Sequence, residues 1–445
     1  MDGVTVTEER RASTRRAPGR RPAARSGSGG GRLTGIDVAR GVAVIGMYAA
    51  HLGPDPSRGG IGVLFSPFEG RSAALFAVLS GLSIALMSGG RHPKTGVGKT
   101  KVAWRLGTRA PLLLALGLWL TNLGTGYLVI LAYYGVCFVA AIPFLRLRAK
   151  ALFILAGVFA VVVPFVSYFV RAAVAPRDLL YMLPDPTFDQ IRQIGDLPEV
   201  LLSLVLTGAF PALGLMTYVF AGMAIGRLDL TSRLVNRALM LGGTALAVLA
   251  YGSSWLATSV FGGMRQIYAS LAPAAAQAGI TPEQFYAQNS YNIHGTPPTT
   301  SLAWELVSSA HAYTPFDFVG CLGVAAAVIG GCQLAGARFG KLLRPFSDLG
   351  SVILSAYVFH FIAIYLLWGT LDQNVDPFSL GRFFSFSAVA LVGAMAWKKW
   401  VGKGPLEWLL HTATRWPDYA FRGRVPAQRS SEPLMDVSAA ANKVG

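Results

Sequence analysis

Charge is scarce in this chain of 445 residues. Asp, Glu, Lys and Arg make up 14% of it, against 53% hydrophobic residues, where a soluble domain carries about a quarter charged residues. That balance excludes an ordinary soluble globular fold. Several apolar runs exceed the ~18 residues that mark a membrane span. They are continuous rather than alternating, which excludes a β-barrel. The expected fold class is all-α, a polytopic integral membrane helical bundle. Cysteine is scarcer still: Cys137, Cys321 and Cys332 are the three present, all inside apolar runs. They show no metal-ligand spacing, so neither a disulfide framework nor a metal site is expected, and each reads as a small buried core residue. Acidic residues are few beside basic ones, 22 against 39, for a net charge of +17. In a soluble chain that excess would suggest nucleic acid. In a membrane chain its placement among the loops matters more, and no nucleic-acid partner is expected.

What is present falls into three parts. Residues 1–32 hold eight arginines among Gly, Ser, Ala and Pro and end in SGSGGG, the composition of a disordered cytoplasmic arm. Residues 33–410 carry the apolar runs and form the transmembrane domain. Residues 411–445 are polar and read as a cytoplasmic, largely disordered tail. The length rule places about ten spans, near 35–52, 70–89, 110–122, 127–145, 151–171, 201–226, 238–261, 315–336, 349–369 and 383–400. With the first arm inside, the inner loops 91–109, 146–150, 227–237 and 338–344 hold fifteen Lys and Arg, against four in the outer loops. This bias predicts a multi-pass protein of the plasma membrane with both termini cytoplasmic. The long outer segments 172–200, which holds Asp178, Asp185, Asp189, Asp196 and Glu199, and 262–314 read as lids over a site or as plain connections.

The first two spans concentrate the polar groups. Residues 33–90 read LTGIDVARGVAVIGMYAAHLG, a Gly/Pro loop, then FSPFEGRSAALFAVLSGLSIALMSGG, and carry Asp37, Arg40, His51, Glu69, Arg71 and Ser80. Ionisable groups inside apolar spans are costly and mark function by default. Arg40 and His51 are eleven residues apart, within about 20° of one helical stripe and about 16 Å along the axis. That separation would suit a substrate threaded lengthwise, its anionic end at Arg40 and its reactive end at His51. His360 lies eleven residues into the ninth span, near mid-membrane, where protein or water must satisfy it.

These stretches carry a resemblance. RLTGIDVARGVAVIG, EGRSAALFAVLSG, ILAYYGVCFVAAIPFLRL, LTGAFPALGLMTYVFAGMAIGRLDL, GTPPTTSLAWELVSSAHAYTPFDFVGCLGVAAAVIG and GPLEWLL follow one another in this order. Together they resemble the bacterial membrane acyltransferases related to heparan-alpha-glucosaminide N-acetyltransferase, including the YeiB-type group. A second likeness is to the acyltransferase-three family, through Asp37, Arg40, His51, Ser80-Gly81 and AYVFHF around His360. The resemblance implies an integral membrane enzyme moving an acetyl or other short acyl group from acetyl-CoA to a sugar, lipid or cell-envelope acceptor, with no metal. The glucosaminide enzyme's catalytic histidine lies in the first outer loop. This chain has no histidine between His51 and Glu69, so His51 takes that place only through the second likeness.

Each residue keeps a plain structural reading beside the functional one. His51 is a general base or transient acyl carrier, or a helix-end histidine bonded to the loop. Arg40 holds the coenzyme phosphates with Asp37 orienting it, or the two form a pair at a helix start. Glu69 and Arg71 orient His51 or the acceptor, or form a salt bridge holding the loop. His360 is a second catalytic group or a buried helix-contact histidine. His311 and Asp317 line the acceptor pocket or cap a helix with Thr314. His92 and His411 read as solvated, and His294 has no assigned role. A transporter without bond-making chemistry is the alternative function. Against it stands the lack of any inverted repeat or of paired broken helices. The sequence leaves the oligomeric state open, with a homodimer permitted.

Overall fold

The computed structural model describes residues 34–174, 186–187, 196–290, 293–368 and 379–416. The basic arm, Asp178, Asp185 and Asp189 of the acidic loop, and the tail from residue 417 lie outside them. The described residues form fifteen α-helices and no strand. In order these are α1 (Thr34–Leu52), α2 (Arg71–Met87), α3 (Gly96–Asn122), α4 (Leu131–Ala140), α5 (Ala149–Val174), α6 (Leu197–Leu202), α7 (Ala212–Ile225) and α8 (Arg233–Trp255). There follow α9 (Gly263–Gln277), α10 (Pro282–Asn289), α11 (Pro315–Phe339), α12 (Arg344–Gly350), α13 (Ile353–Trp368), α14 (Leu380–Trp400) and α15 (Pro405–Ala413).

Five of the described helical segments are long and apolar enough to cross a membrane, or seven if each of two bent pairs is one span. Three of the ten stretches expected as spans, α1 and the runs at 110–122 and 127–145, fall outside that count by length and composition. The short run at 110–122 is the second half of α3, whose first half is the basic segment assigned to an inner loop. The run at 127–145 divides into α4 and a 3-10 turn at Ile142–Arg146. Ten residues of α4 rise about 15 Å, half the hydrocarbon thickness.

Two spans are broken where continuous helices were expected. Leu197–Thr207 and Ala212–Ile225 meet at 44°, and Arg344–Gly350 and Ile353–Leu367 at 82°. The first break falls at Gly208 and Pro211; Pro211 has no N–H to continue the ladder. At the second, the α13 start would leave bare backbone donors inside the bundle. The Glu407 carboxylate of α15 accepts from Leu354 N at 2.7 Å, Ser355 N at 3.1 Å and Ser355 Oγ at 2.5 Å. GPLEW is thus a cap supplied from another helix.

The bundle closes through small residues. A Cβ on Gly81 would lie 2.1 Å from the Val219 carbonyl oxygen, and one on Gly222 1.9 Å from that of Val78. α2 and α7 therefore touch backbone to backbone. Gly41 and Gly350 do the same for α1 and α12, against Phe346 O and Asp37 O. Close backbone approach of this kind is how membrane helices gain packing without a hydrophobic drive between them. The opposite faces, such as Leu241 and Val248 on α8 and Val389 and Val392 on α14, are exposed and suited to lipid.

One cation ties three connections together. Arg227, buried after α7, donates from Nη1 to the carbonyls of Ala85 (3.0 Å) and Gly90 (2.8 Å). Nη2 bonds Leu145 O (2.7 Å) and Ser88 Oγ (2.9 Å), and Nε bonds Leu147 O (3.3 Å). The α2–α3, α4–α5 and α7–α8 turns are thus held by a single guanidinium.

Candidate active site

The last turn of α1 carries His51, and α13 brings His360 to it. His51 Nδ1 lies 3.1 Å from His360 Nε2, with the rings 5.4 Å apart and 29° from parallel. His360 Nδ1 bonds the carbonyl of Tyr357, one turn earlier. A carbonyl only accepts, so His360 Nδ1 carries the hydrogen and its neutral Nε2 accepts from His51 Nδ1. The His51 lone pair then belongs to Nε2. This tautomer is assigned from the hydrogen-bond network. Tyr127 stacks on His51 at 4.6 Å, and its hydroxyl donates to the His51 carbonyl at 2.5 Å.

His51 lines a cavity of about 420 Å³. Its walls include Met47 and Ala50 of α1, Asp55 and Glu69 of the first loop, Phe76 of α2, Tyr127 and Tyr357, and His294 and His311 from the segment before α11. Among the described residues, no Lys or Arg lines it.

The far wall is a second imidazole pair, His294 stacked on His311 at 5.2 Å. The backbone at His311 (φ 57°) and Tyr313 (φ 55°) is left-handed, a conformation non-glycine residues seldom adopt. Tyr313 N donates to Asp317 Oδ2 at 3.0 Å, Gly295 N to the His311 carbonyl at 2.8 Å, and Asp317 N to Thr314 Oγ1 at 3.2 Å. Thr314 is the N-cap of α11, with Pro315 in its first turn. Burial holds His311 well below the ordinary imidazole range, aided by His294, Arg71 and His51.

Behind this wall Arg171 of α5 faces Glu305. Arg171 donates to Pro297 O at 2.6 Å and Ser167 Oγ at 3.1 Å, while its Nη2 and both Glu305 carboxylate oxygens are buried without a partner. They border a void of about 10 Å³, room for about one water. Desolvation raises the Glu305 carboxyl from 4.5 to about 7, with Arg171 opposing. Its folded state holds the proton more tightly than the unfolded state. Its contribution to stability therefore falls as pH rises from about 4.5 to about 7 and is flat outside that window. Glu305→Gln is expected to remove this slope, read as the thermal midpoint of the purified protein from pH 4 to 8.

The remaining candidates fall into three groups. Glu69 lines the cavity but is not ion-paired to Arg71, which donates to the Glu69 backbone carbonyl (3.1 Å) and to Tyr251 Oη (3.1 Å). The salt bridge expected between them is thus replaced by a chain through Tyr251 and Cys321 to Asp317, whose Oδ1 lies 3.2 Å from Cys321 Sγ. Asp317 is buried at the start of α11 and does not line the cavity, and Cys321 is a hydrogen-bonding partner as well as filler. Asp37 and Arg40 form an ion pair of 2.9 Å, and Arg40 Nη2 reaches Ser83 Oγ at 2.7 Å. Neither lines the cavity, which reaches along α1 only to Met47. The lengthwise passage expected between Arg40 and His51 is therefore not what this cavity provides. Ser80 bonds its own helix at Ala77 O, 2.9 Å away. Sequence reasoning missed His294, Tyr127, Arg171 and Glu305, because their partners come from segments far away in the chain.

No curated protein matches the chain. Two family matches divide it. Residues 265–417 match a family described as a protein of unknown function, DUF418, and contain His294, His311 and His360. Residues 32–257 match the family described as heparan-alpha-glucosaminide N-acetyltransferase, catalytic. The acyltransferase-three likeness has no counterpart in either match. His51 and the first cavity wall thus fall in one match and their histidine partners in the other. Because the catalytic-domain match covers more than half of the sequence, this helical membrane protein belongs to the heparan-alpha-glucosaminide N-acetyltransferase family.

Proposed function

We propose that the protein transfers a short acyl group from acyl-CoA to an amine-bearing acceptor in the cavity at His51, in the plasma membrane with both termini cytoplasmic. The observation that carries this reading is the His51–His360–Tyr357 carbonyl relay, which leaves His51 Nε2 as the lone-pair nitrogen on a cavity wall. The acceptor amine is held by the acidic lining, Glu69 above all. Its nitrogen bonds to the thioester carbonyl carbon and the C–S bond breaks. His51 Nε2 takes the nitrogen's proton and passes it to the departing thiolate. His360 accepts from His51 Nδ1 throughout and steadies the imidazolium that forms in between. Among the described residues the cavity lining offers the coenzyme phosphates no cation, so only the thioester arm is assigned to it.

The test is thioester loss from acetyl-CoA by purified protein in nanodiscs, with glucosamine as the probe acceptor. Acceptor-dependent release of free thiol, with N-acetylglucosamine formed in equal amount, supports the reading. The two broken spans are of the kind found at transporter sites, so amine flux into protein-loaded vesicles is measured beside it. Flux without any thiol release, at every acceptor tried, replaces acyl transfer with transport.

A further inference from the structure

His360 also lines a second hollow, in which His51 has no part. It is a groove of about 530 Å³ between α13 and α14. Ala356, Phe359, Ala363 and Leu367 form its α13 side; Ser385, Val389, Gly393 and Trp397 form its α14 side. Spacings of three or four residues place each set on one helix face. Ser385 and Trp397 are about 18 Å apart along the axis, more than half of a ~30 Å hydrocarbon core. Both helices belong to segments apolar enough to cross a membrane. α14 packs on α1 and α12, and the small side of Ala363, Ala390 and Gly393 leaves the gap between it and α13. The rim residues Phe359, Leu367, Val389 and Trp397 are exposed where lipid lies.

The polar groups of the wall are spent inside the protein. Tyr48 Oη donates to Ala356 O at 3.2 Å, Ser355 Oγ to Glu407, and Trp397 Nε1 to Lys403 O at 2.9 Å. The His360 nitrogens are taken by His51 and the Tyr357 carbonyl. Among the described lining residues there is no Asp, Glu, Lys or Arg, and the Ser385 hydroxyl is left at one end. An extended peptide segment laid here would bring backbone N–H and C=O groups that the wall cannot satisfy. The linker 369–378 would add Asp372, Gln373, Asn374 and Asp376 at further cost. A hydrocarbon chain brings no such group.

We propose that this groove is a binding site for an acyl chain of a membrane phospholipid, lying along α14 with one side against His360. The site is separate from the His51 cavity and does not depend on acyl transfer there.

The experiment uses the full-length protein in detergent, exchanged free of lipid. It is titrated with phosphatidylcholine carrying brominated acyl chains, and the readout is quenching of Trp397 fluorescence, taken as the part lost in Trp397→Phe. Native mass spectrometry counts lipids and chains per particle. Gly393→Leu fills the groove, and a Cβ at Gly393 meets nothing within 4 Å. Leu is also the better helix former, so the thermal midpoint should not fall; Ala390→Leu repeats the test one turn earlier if it does. Gly242→Leu, equally free of neighbours within 4 Å, makes the same change on the exposed face of α8. We expect saturable quenching at one lipid per chain, weakened about tenfold in Gly393→Leu, whose side chain displaces about two methylenes, and unaltered in Gly242→Leu. The proposal fails if Trp397 is not quenched, if the folded groove variants bind like the native protein, or if Gly242→Leu weakens binding as much. It fails too if the particle that Gly393→Leu disrupts is a pair of chains without lipid, which would make the groove a contact between copies.

Discussion

His51→Ala is expected to lower the turnover number for acyl transfer by about 10²- to 10⁴-fold, the range for loss of a positioned general base, with little change in the donor's KM. Among the other described groups on that wall, Glu69 is assigned to the acceptor amine. His311 is buried and paired with His294, and Tyr127 spends its hydroxyl on the His51 carbonyl. His360→Phe separates the relay from bulk. It keeps a ring against Tyr48 and Phe361, where His360 now packs, but removes the acceptor for His51 Nδ1. We expect a fall of about 10- to 100-fold in turnover with an unchanged thermal midpoint, because the ring contacts survive. A stopped assay for free thiol measures both. Wild-type turnover in His51→Ala would remove the mechanism, and wild-type turnover in His360→Phe alone would leave His51 acting unaided.

The second large effect is on folding. Arg227→Met should cost about 4 kcal/mol or more, since the Gly90, Leu145 and Leu147 carbonyls and Ser88 Oγ lose their donor at about 1 kcal/mol or more each. Against a typical total of about 5–15 kcal/mol this is close to loss of the fold. The variant is expected to leave the membrane extract as aggregate. Arg227→Lys keeps the charge but has a point donor instead of a fork, and should fall between the two. Size-exclusion profiles after graded heating give the comparison. A native midpoint for Arg227→Met would show that the turns hold without the clasp.

The helical class and its lipid-facing runs were legible because composition and hydropathy report burial in one dimension. The polar first hairpin was legible for the same reason: Asp37, Arg40, His51, Glu69 and Arg71 stand out against apolar neighbours. Their partners were not. The stripe shared by Arg40 and His51 is a property of α1 alone. Which members of a stripe face one cavity depends on α2 and α12, and Ser83 captures Arg40. His360 was singled out, yet its bond to His51 spans 309 positions of chain, a distance that helical periodicity cannot reach. His294 reads as an idle loop residue in the sequence, whereas in the fold it stacks on His311 at the cavity wall. The breaks before α7 and α13 were hidden because hydropathy is blind to the direction of a helix axis.

The Glu407 cap has a bearing on how the protein is made. The helix that carries His360 has its first backbone donors satisfied by a residue 53 positions later, so synthesis delivers the helix well before its cap. Until α15 leaves the ribosome, the nascent α13 exposes bare amides to hydrocarbon or borrows another acceptor. The imidazole relay settles into register after that late arrival, so the His51–His360 pair is among the last features of the protein to mature.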